Sequence, residues 1–188
     1  VALLLAASRR LGVAARRTAW GDLRSEPLEV ASVGVFGAGA IGEELFRRLE
    51  PFGVRRLALT RSGRPVSGAD VAYGADALDE LLRASDYLVL AAPLTSETDG
   101  VIDARALELF GQEAWLVNVG RGRLVQTDAL CAALAAGRIA GACLDVTDPE
   151  PLPDGHPLWS FENVLITPHV ANPWHGHEEL LAARVAEN

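Results

Sequence analysis

The sequence predicts an α/β domain built on a doubly wound parallel sheet. From about residue 29 onward, short apolar runs of the β-strand type alternate with longer runs of helical periodicity. The short runs are apolar throughout, which is typical of parallel strands that are covered by helices on both faces. We therefore expect strands and helices to alternate over most of the chain.

The residue pattern places six strands and five helices after residue 29. The predicted strands are Val33–Phe36, Val54–Thr60, Tyr87–Ala92, Trp115–Val119, Ile139–Val146 and Val164–Thr167. The predicted helices are Ile41–Leu49, Ala75–Ala84, Ala104–Phe110, Asp128–Ala136 and His177–Val185. Asp103 and Thr127 are expected to cap helix N-termini, and Gly111 and Gly137 stand where helices should end.

The leading segment differs from the rest of the chain. Residues 1–17 begin with an apolar run, and we expect an amphipathic helix with Leu3, Leu4 and Leu11 on its apolar side. The positive charges follow the apolar run, whereas those of a secretory signal precede it. Residues 18–29 are mostly polar and contain glycine and proline, so they are expected to form a hinge.

Composition and charge exclude several classes of function. The 188 residues contain 17 Lys and Arg against 25 Asp and Glu, a net charge of −8. Nucleic acids and anionic membranes both need a cationic face, so neither is the expected partner. No apolar run is long enough to span a bilayer. Cys131 and Cys143 lie in apolar stretches and form no C-x-x-C pair, which favours buried thiols in the cytoplasm.

A glycine-rich segment lies between the first predicted strand and the next predicted helix. Gly37 permits a tight turn, Gly39 lets a pyrophosphate approach the backbone, and Gly42 lets the helix pack closely on the strand. Ala40 and Ile41 add N–H groups at the positive end of the helix dipole. An isolated glycine triplet would be an ordinary turn, but this context predicts a Rossmann-type dinucleotide-binding domain.

The end of the next predicted strand indicates which dinucleotide is expected. An acidic residue at that position accepts hydrogen bonds from the adenosine ribose hydroxyls, and this sequence has none there. Arg61 and Arg64, helped by Thr60 or Ser62, could instead neutralise a 2′-phosphate. NADP(H) is therefore favoured and NAD(H) is the alternative; two solvated loop arginines are the other interpretation.

Four downstream segments together resemble the D-isomer-specific 2-hydroxyacid dehydrogenase family. They are Ala-Pro-Leu-Thr-Ser-Glu-Thr at 92–98, Val-Asn-Val-Gly-Arg-Gly at 117–122, Asp-Val-Thr-Asp-Pro-Glu-Pro-Leu-Pro at 145–153 and Asn-Val-Leu-Ile-Thr-Pro-His-Val-Ala at 163–171. Each segment alone is a weak signal, but their order and spacing together are specific. The resemblance implies hydride transfer between NAD(P)(H) and a small 2-oxo or D-2-hydroxy acid, similar to glyoxylate or hydroxypyruvate.

The resemblance assigns catalytic roles to three residues, and each role suits the side chain. Arg121 would hold the substrate carboxylate and polarise the C2 oxygen with its planar, permanently charged guanidinium. His169 would exchange a proton with that oxygen. Glu150 would orient His169 and favour its protonated form. Taken singly, the three are also explained as a surface cation, a solvated acid and a histidine hydrogen-bonded at a strand end.

The resemblance also implies further cofactor contacts. Asp145 would contact the nicotinamide end, although a buried capping role is the alternative for this residue. Val119 would expose backbone atoms to the nicotinamide ring. Pro93 and Thr98 would line the cofactor cleft.

Some positions depart from the family pattern. Thr147 stands where the family usually carries an aromatic residue, and Asn172 and Pro173 stand where small residues usually follow the histidine, so the substrate preference stays open. His175 and His177 have no partner at a convincing ligand spacing, and no metal site is expected.

These observations predict how the chain is organised. Residues 30–172 are expected to form the dinucleotide-binding domain, and 173–188 a C-terminal helix that leads back towards a substrate domain largely missing from this chain. Val1 and the absence of methionine indicate part of a longer protein. A homodimer through residues 1–17 follows from the resemblance. The alternative function is a non-catalytic, dinucleotide-sensing binding protein of the same fold.

Overall fold

The computed structural model describes residues 1–25 and 27–171, which contain one seven-stranded sheet. The strands are β1 (Ser32–Phe36), β2 (Arg55–Leu59), β3 (Val71–Tyr73), β4 (Tyr87–Leu90), β5 (Trp115–Asn118), β6 (Gly141–Leu144) and β7 (Val164–Ile166). The α-helices of the described residues are α1 (Ala2–Ser8), α2 (Leu11–Arg16), α3 (Ala40–Leu49), α4 (Leu78–Ala84), α5 (Ala104–Glu108) and α6 (Thr127–Ala135). The strand order is β3-β2-β1-β4-β5-β6-β7, and every pair is parallel. The predicted doubly wound parallel sheet is confirmed.

The sheet buries an apolar layer on each face, which explains why its strands are apolar throughout. In β4, Leu88 and Leu90 belong to one layer, whereas Tyr87 and Val89 belong to the other. All four side chains are at most 4% exposed. Burying a side chain of this size contributes about 1.5–3 kcal/mol relative to leaving it in water, so one strand stabilises both layers.

The leading segment forms two helices and not the single amphipathic helix that the sequence predicts. Arg10 adopts a left-handed conformation with φ of 48°, and the chain breaks there between α1 and α2. In α1, Leu4 is 2% exposed and packs in the same apolar layer as Val117 and Cys143 of the sheet. Leu11 is 51% exposed, so its predicted place on the same apolar side is wrong, because the break interrupts the helical periodicity.

The sequence-based element list misses one strand. β3 contains three half-buried residues at the edge of the sheet, and so short a run has no clear apolar pattern. The predicted helix over residues 75–84 begins as a 3₁₀ turn at Ala75–Ala77 and becomes α-helical at Leu78. The predicted helix His177–Val185 lies outside the described residues.

Two of the four helix-end predictions are confirmed. The prediction at Gly111 is wrong, because α5 ends earlier, with Leu109 as its C-cap residue. The Asp103 carboxylate accepts a hydrogen bond from Ala106 N at 2.7 Å, and Gly137 follows α6 with φ of 63°. The Thr127 prediction is wrong, because Gln126 is the N-cap residue of α6. The hydroxyl of Thr127 instead donates to Asp148 O at 2.6 Å, which ties α6 to the loop after β6.

The strand order locates the crevice in which a ligand can bind. After β1 the chain builds outward to β2 and β3 on one side, and from β4 it continues on the other side towards β7. Open parallel sheets bind ligands outside the carboxyl ends of the strands where the order reverses, here between β1 and β4. None of the helices in the described residues combines the length and apolarity needed to cross a membrane.

The two cysteines differ in burial, which predicts different reactivity. Cys143 in β6 is 1% exposed, and burial raises the pKa of its thiol to about 12. Cys131 in α6 is half-buried, and burial followed by the charge of Asp128 raises the pKa of its thiol. Because the thiolate is the reactive form, we expect iodoacetamide at about pH 8 to modify Cys131 slowly and to spare Cys143 until the chain unfolds. Peptide mass spectrometry checks this, and equal modification of both in the folded protein would contradict it.

Candidate active site

The three glycines after β1 occupy positions that suit a phosphate-binding turn. Gly37 has φ of +86°, and a Cβ atom there would lie 2.5 Å from Ala92 N, so only glycine fits. A Cβ atom on Gly39 would meet nothing within 4 Å, which means that this position faces open space. At Gly42 a Cβ atom would lie 3.3 Å from Val35 Cγ1, so the helix packs closely on β1.

The turn leads directly into α3, whose N-terminus points to the crevice. Gly39 is the N-cap residue and has no side chain to cap the helix. The first N–H groups of a helix, here beginning at Ala40 and Ile41, have no acceptor within the helix. Together with the positive end of the helix dipole, these groups suit a pyrophosphate.

The residues after β2 include an unsatisfied hydroxyl and an unpaired guanidinium. Thr60 Oγ1 is buried and has no hydrogen-bond partner among the described residues, which is unusual for a buried polar atom. Arg64 Nη2 lies 3.3 Å from Glu43 Oε1, so its charge is already paired. Within the described chain, Arg61 forms neither a hydrogen bond nor an ion pair, while Ser62 bridges to Gly74 through the backbone.

The loop after β4 faces this segment across the crevice. Thr98 Oγ1 donates to Pro93 O at 2.8 Å and accepts from Thr95 N at 2.8 Å, so Thr98 shapes the loop that carries Pro93. Hydrogen bonding, first from the Thr95 side chain, lowers the pKa of Glu97, and the charge of Arg61 contributes last. Arg61 is therefore close enough for its charge to act on this loop.

The loop after β5 carries Arg121. Its guanidinium is exposed and donates to Gly120 O at 2.7 Å. The buried side chain of Asn118, the last residue of β5, braces the same loop: its Nδ2 donates to Arg121 O at 2.9 Å, and its Oδ1 accepts from Gly120 N at 3.1 Å. Sequence reasoning missed Asn118, although a polar residue at the end of an apolar strand was a signal.

The Arg121 loop and the loop after β6 are in direct contact. A Cβ atom on Gly122 would overlap Thr147 O and lie 2.7 Å from Asp148 N. Thr147 itself donates from its hydroxyl to Pro149 O at 2.9 Å. The position where the family usually carries an aromatic residue therefore lies at a tight contact between the two loops.

Glu150 and His169 meet, as the resemblance implies. His169 Nδ1 lies 2.6 Å from Glu150 Oε1, and the two side chains are 46% and 43% exposed. His169 has φ of 53°, a left-handed conformation that is uncommon outside glycine. Because Nδ1 is engaged by the carboxylate, Nε2 is the ring nitrogen left for a ligand. Arg121 lies on the adjoining loop and has no hydrogen bond or ion pair to Glu150 or His169.

Asp145 caps the turn that carries His169. Asp145 is 2% exposed, and its Oδ1 accepts from Thr167 Oγ1 at 2.5 Å and from Val170 N at 3.0 Å. Its Oδ2 accepts from Ala171 N at 2.9 Å. The capping role that the sequence analysis kept as an alternative is therefore present in the structure.

Two cavities of about 510 and 500 Å³ meet at Asp145 and Thr167. The first is lined by Ile41, Val119 and Val170, among others. The second is lined by Thr147, Glu150 and His169, among others. Val119 and His169 thus line adjoining cavities that share Asp145 and Thr167. No cluster of three or more His, Cys, Asp or Glu in the described ranges could hold a metal ion, and His175 and His177 lie outside those ranges.

Comparison with known proteins identifies relatives for almost the whole chain. The chain is 38% identical over 197 residues to the human glyoxylate reductase/hydroxypyruvate reductase, which covers all of this chain and 60% of that protein. It is 51% identical over 141 residues to a protein encoded in the proB 3′ region of Corynebacterium melassecola, covering 75% and 46% of the two. The chain thus spans 46% to 60% of the length of these relatives.

Solved structures that superpose on this chain include a reductase described in the same terms as the human relative. The D-isomer specific 2-hydroxyacid dehydrogenase of Xanthobacter autotrophicus Py2, in complex with NADPH and MES, superposes with a TM-score of 0.83 at 36% identity, over 90% of this chain and 55% of that one. The NADPH-dependent glyoxylate/hydroxypyruvate reductase of Sinorhizobium meliloti, in apo form, superposes with a TM-score of 0.84 at 29% identity, over 98% and 77%. Residues 1–171 match the NAD binding domain of one family. The chain therefore belongs to the D-isomer specific 2-hydroxyacid dehydrogenase family.

Proposed function

We propose that the protein containing this chain is an oxidoreductase that transfers hydride between NADP(H) and a small 2-oxo or D-2-hydroxy acid. The contact between Glu150 and His169 carries the proposal, because an imidazole paired with a carboxylate at the sheet edge of the glycine turn suits proton transfer. The human relative is named for glyoxylate and hydroxypyruvate, which supports substrates of that size.

Arg121, His169 and Glu150 each have a separate role in the proposed reaction. When bound, the nicotinamide supplies or accepts the hydride at C2 of the substrate. Arg121 holds the substrate carboxylate and draws electron density from the C2 oxygen. In the reductive direction, His169 Nε2 gives that oxygen the proton that completes the hydroxyl group, and in the oxidative direction it takes the proton back. Glu150 keeps the imidazole in position through Nδ1 and stabilises its protonated form.

The same pair favours an enzyme over a dinucleotide-sensing protein of this fold. A sensor needs a cofactor cleft, but it has no use for a histidine held by a carboxylate beside that cleft. The pair is also half exposed, and hydride transfer benefits from the exclusion of water. The chain spans 46% to 60% of the length of the human and Corynebacterium melassecola relatives, and we propose that it acts as the cofactor-binding unit of the protein that contains it.

Two features of the adenosine end support NADP(H) as the favoured cofactor, with NAD(H) as the alternative. Among the described residues, Thr60 Oγ1 is a buried hydroxyl without a hydrogen-bond partner, and Arg61 forms no hydrogen bond or ion pair. A 2′-phosphate would supply acceptors to both, and Ser62 adds a further hydroxyl in the same segment. The relatives from Xanthobacter autotrophicus and Sinorhizobium meliloti are described with NADPH.

Exposed apolar side chains in and around the leading segment support a homodimer. Leu11 is 51% exposed, Val30 is 72% exposed, and Trp20 is fully exposed. A second copy of the chain would remove this surface from water.

Both cysteines are free thiols, which agrees with a reducing compartment such as the cytoplasm.

Replacing the proton-transfer residue tests the catalytic proposal. Asparagine tolerates the left-handed backbone of position 169, so His169→Asn removes the imidazole with little added strain. We expect kcat/KM for glyoxylate or hydroxypyruvate in the full-length protein to fall about 10²- to 10⁴-fold, while NADPH binding is retained. His156→Asn is the control, because His156 accepts a bond from Leu158 N in another loop. Unchanged turnover of His169→Asn would refute the assigned role.

The cofactor preference is tested with the two arginines after β2. We expect Arg61→Ala to weaken NADPH binding about 10- to 100-fold and to change NADH binding little, because a charge-assisted hydrogen bond contributes about 1.5–3 kcal/mol. Arg64→Ala is the matched control, since Arg64 is already paired with Glu43. Parallel titrations followed by protein fluorescence measure both affinities. A larger loss from Arg64→Ala, or equal losses for the two cofactors, would contradict the assignment.

The dimer proposal predicts a dependence on Trp20. We expect the protein to sediment as a dimer at micromolar concentration, and Trp20→Ser to shift it towards the monomer because a large apolar contact is removed. Trp159→Ser is the control, since Trp159 is also exposed but belongs to the loop beside the second cavity. A monomeric parent protein in sedimentation velocity would overturn the proposal.

A further inference from the structure

We propose that Asn118 and Asp145 are positioning residues that set the places of Arg121 and His169. The inference rests on the proposed function, since it concerns the same two catalytic side chains. It gives Asp145 a second role beside the cofactor contact that the resemblance implies, and it adds Asn118, for which the sequence suggested no role.

Buried polar side chains are scarce in the described chain. The set is Ser8, Ser85, Asn118 and Asp145. Two of them stand together at the carboxyl edge of the sheet: Asn118 ends β5, Asp145 directly follows β6, and Asp145 N donates to Asn118 O at 2.9 Å. Burying such groups is unfavourable unless hydrogen bonds replace water, so the structure must use their bonding capacity fully.

Both polar atoms of the Asn118 side chain form hydrogen bonds with the Arg121 loop. Its amide donates to Arg121 O and accepts from Gly120 N, so one side chain holds both groups that flank the Gly120–Arg121 peptide. The loop cannot rotate about this peptide without breaking one of these bonds. The origin of the Arg121 side chain is thereby fixed relative to β5.

Asp145 does the same for the His169 turn. Its two oxygens accept three hydrogen bonds, from Thr167, Val170 and Ala171, which lie on both sides of His169. The backbone of Asp145 adds a fourth bond, because its carbonyl accepts from His169 N at 2.9 Å. A left-handed non-glycine residue persists where its surroundings hold it in place, and these bonds do so for His169.

The bonds to Asp145 leave room for a further donor. Three donors bind its carboxylate, only one of them at Oδ2, and a carboxylate can accept about four hydrogen bonds. Asp145 also lines both cavities, so support of the His169 turn is compatible with the cofactor contact that the resemblance implies.

The two positioning residues serve different steps, which gives a test in the full-length protein. Asn118→Leu keeps the side-chain size and removes its hydrogen bonds, and we expect KM for the 2-oxo acid to rise about tenfold or more, with a smaller change in kcat. Asp145→Asn keeps the shape and places a donor where a second acceptor is needed, and we expect kcat to fall about 100-fold because the imidazole is misplaced. NADPH affinity is expected to change less than about threefold in Asn118→Leu.

Ser85→Ala is the matched control, because Ser85 is equally buried but bonds to Leu81 O away from the site. It should leave kcat and KM unchanged. If Asp145→Asn does not fold, Thr167→Val removes a single donor to the same carboxylate and should lower kcat in the same direction. Loss of NADPH affinity with unchanged kcat in Asp145→Asn, or equal changes of kcat and KM in both variants, would overturn the proposal.

A measurement without turnover separates this inference from the proposed function. In ¹H–¹⁵N spectra, Asp145→Asn should shift the amide signals of Val170 and Ala171 and leave Gly120 in place, and Asn118→Leu should do the reverse. Shifts that spread equally over both loops would refute the two separate roles. A parent protein that reduces no 2-oxo acid would refute the enzyme proposal, while these spectra would still decide whether each residue holds its loop.

Discussion

The parallel pairing of the sheet is the constraint on which the other features depend. Because all seven strands run in one direction, the segments that follow them emerge at the same edge. Segments far apart in sequence, such as the glycine turn at residue 37 and the histidine turn at residue 169, are brought to one side of the molecule in this way. Antiparallel pairing would divide them between two edges, and no common site would form.

At this edge, the backbone supplies some of the ligand-binding groups and the side chains of separate loops supply the others. The glycine turn and the N-terminus of α3 provide backbone N–H groups and a helix dipole, which suit phosphate whatever the remaining sequence is. The chain as a whole is negative, with a net charge of −8, but the loops at this edge carry the positively charged Arg61 and Arg121. Guanidinium groups suit phosphate and carboxylate ligands, which are the groups that the proposed function requires them to bind.

The strength of the sequence prediction varied with the kind of interaction involved. Six strands were predictable because each contains an apolar run, whereas β3 was missed because three half-buried residues at an edge leave little pattern. The helix break at Arg10 was missed as well, since a single left-handed residue inside a helical sequence has no composition signal. Thr127 was a sound N-cap candidate, but its hydroxyl found the carbonyl of Asp148, which is distant in sequence.

The order of elements, the glycine turn and the residues that can do chemistry are predictable from the sequence, because they depend on periodicity and residue type. The packing of the folded chain brings particular residues together: Glu150 with His169, and Asp145 with the turn around His169. It also decided that Asn118 braces Arg121 and that Arg64 is occupied by Glu43. Hydrogen bonds between separate loops depend on distances that arise only when the strands align, and no local pattern encodes those distances.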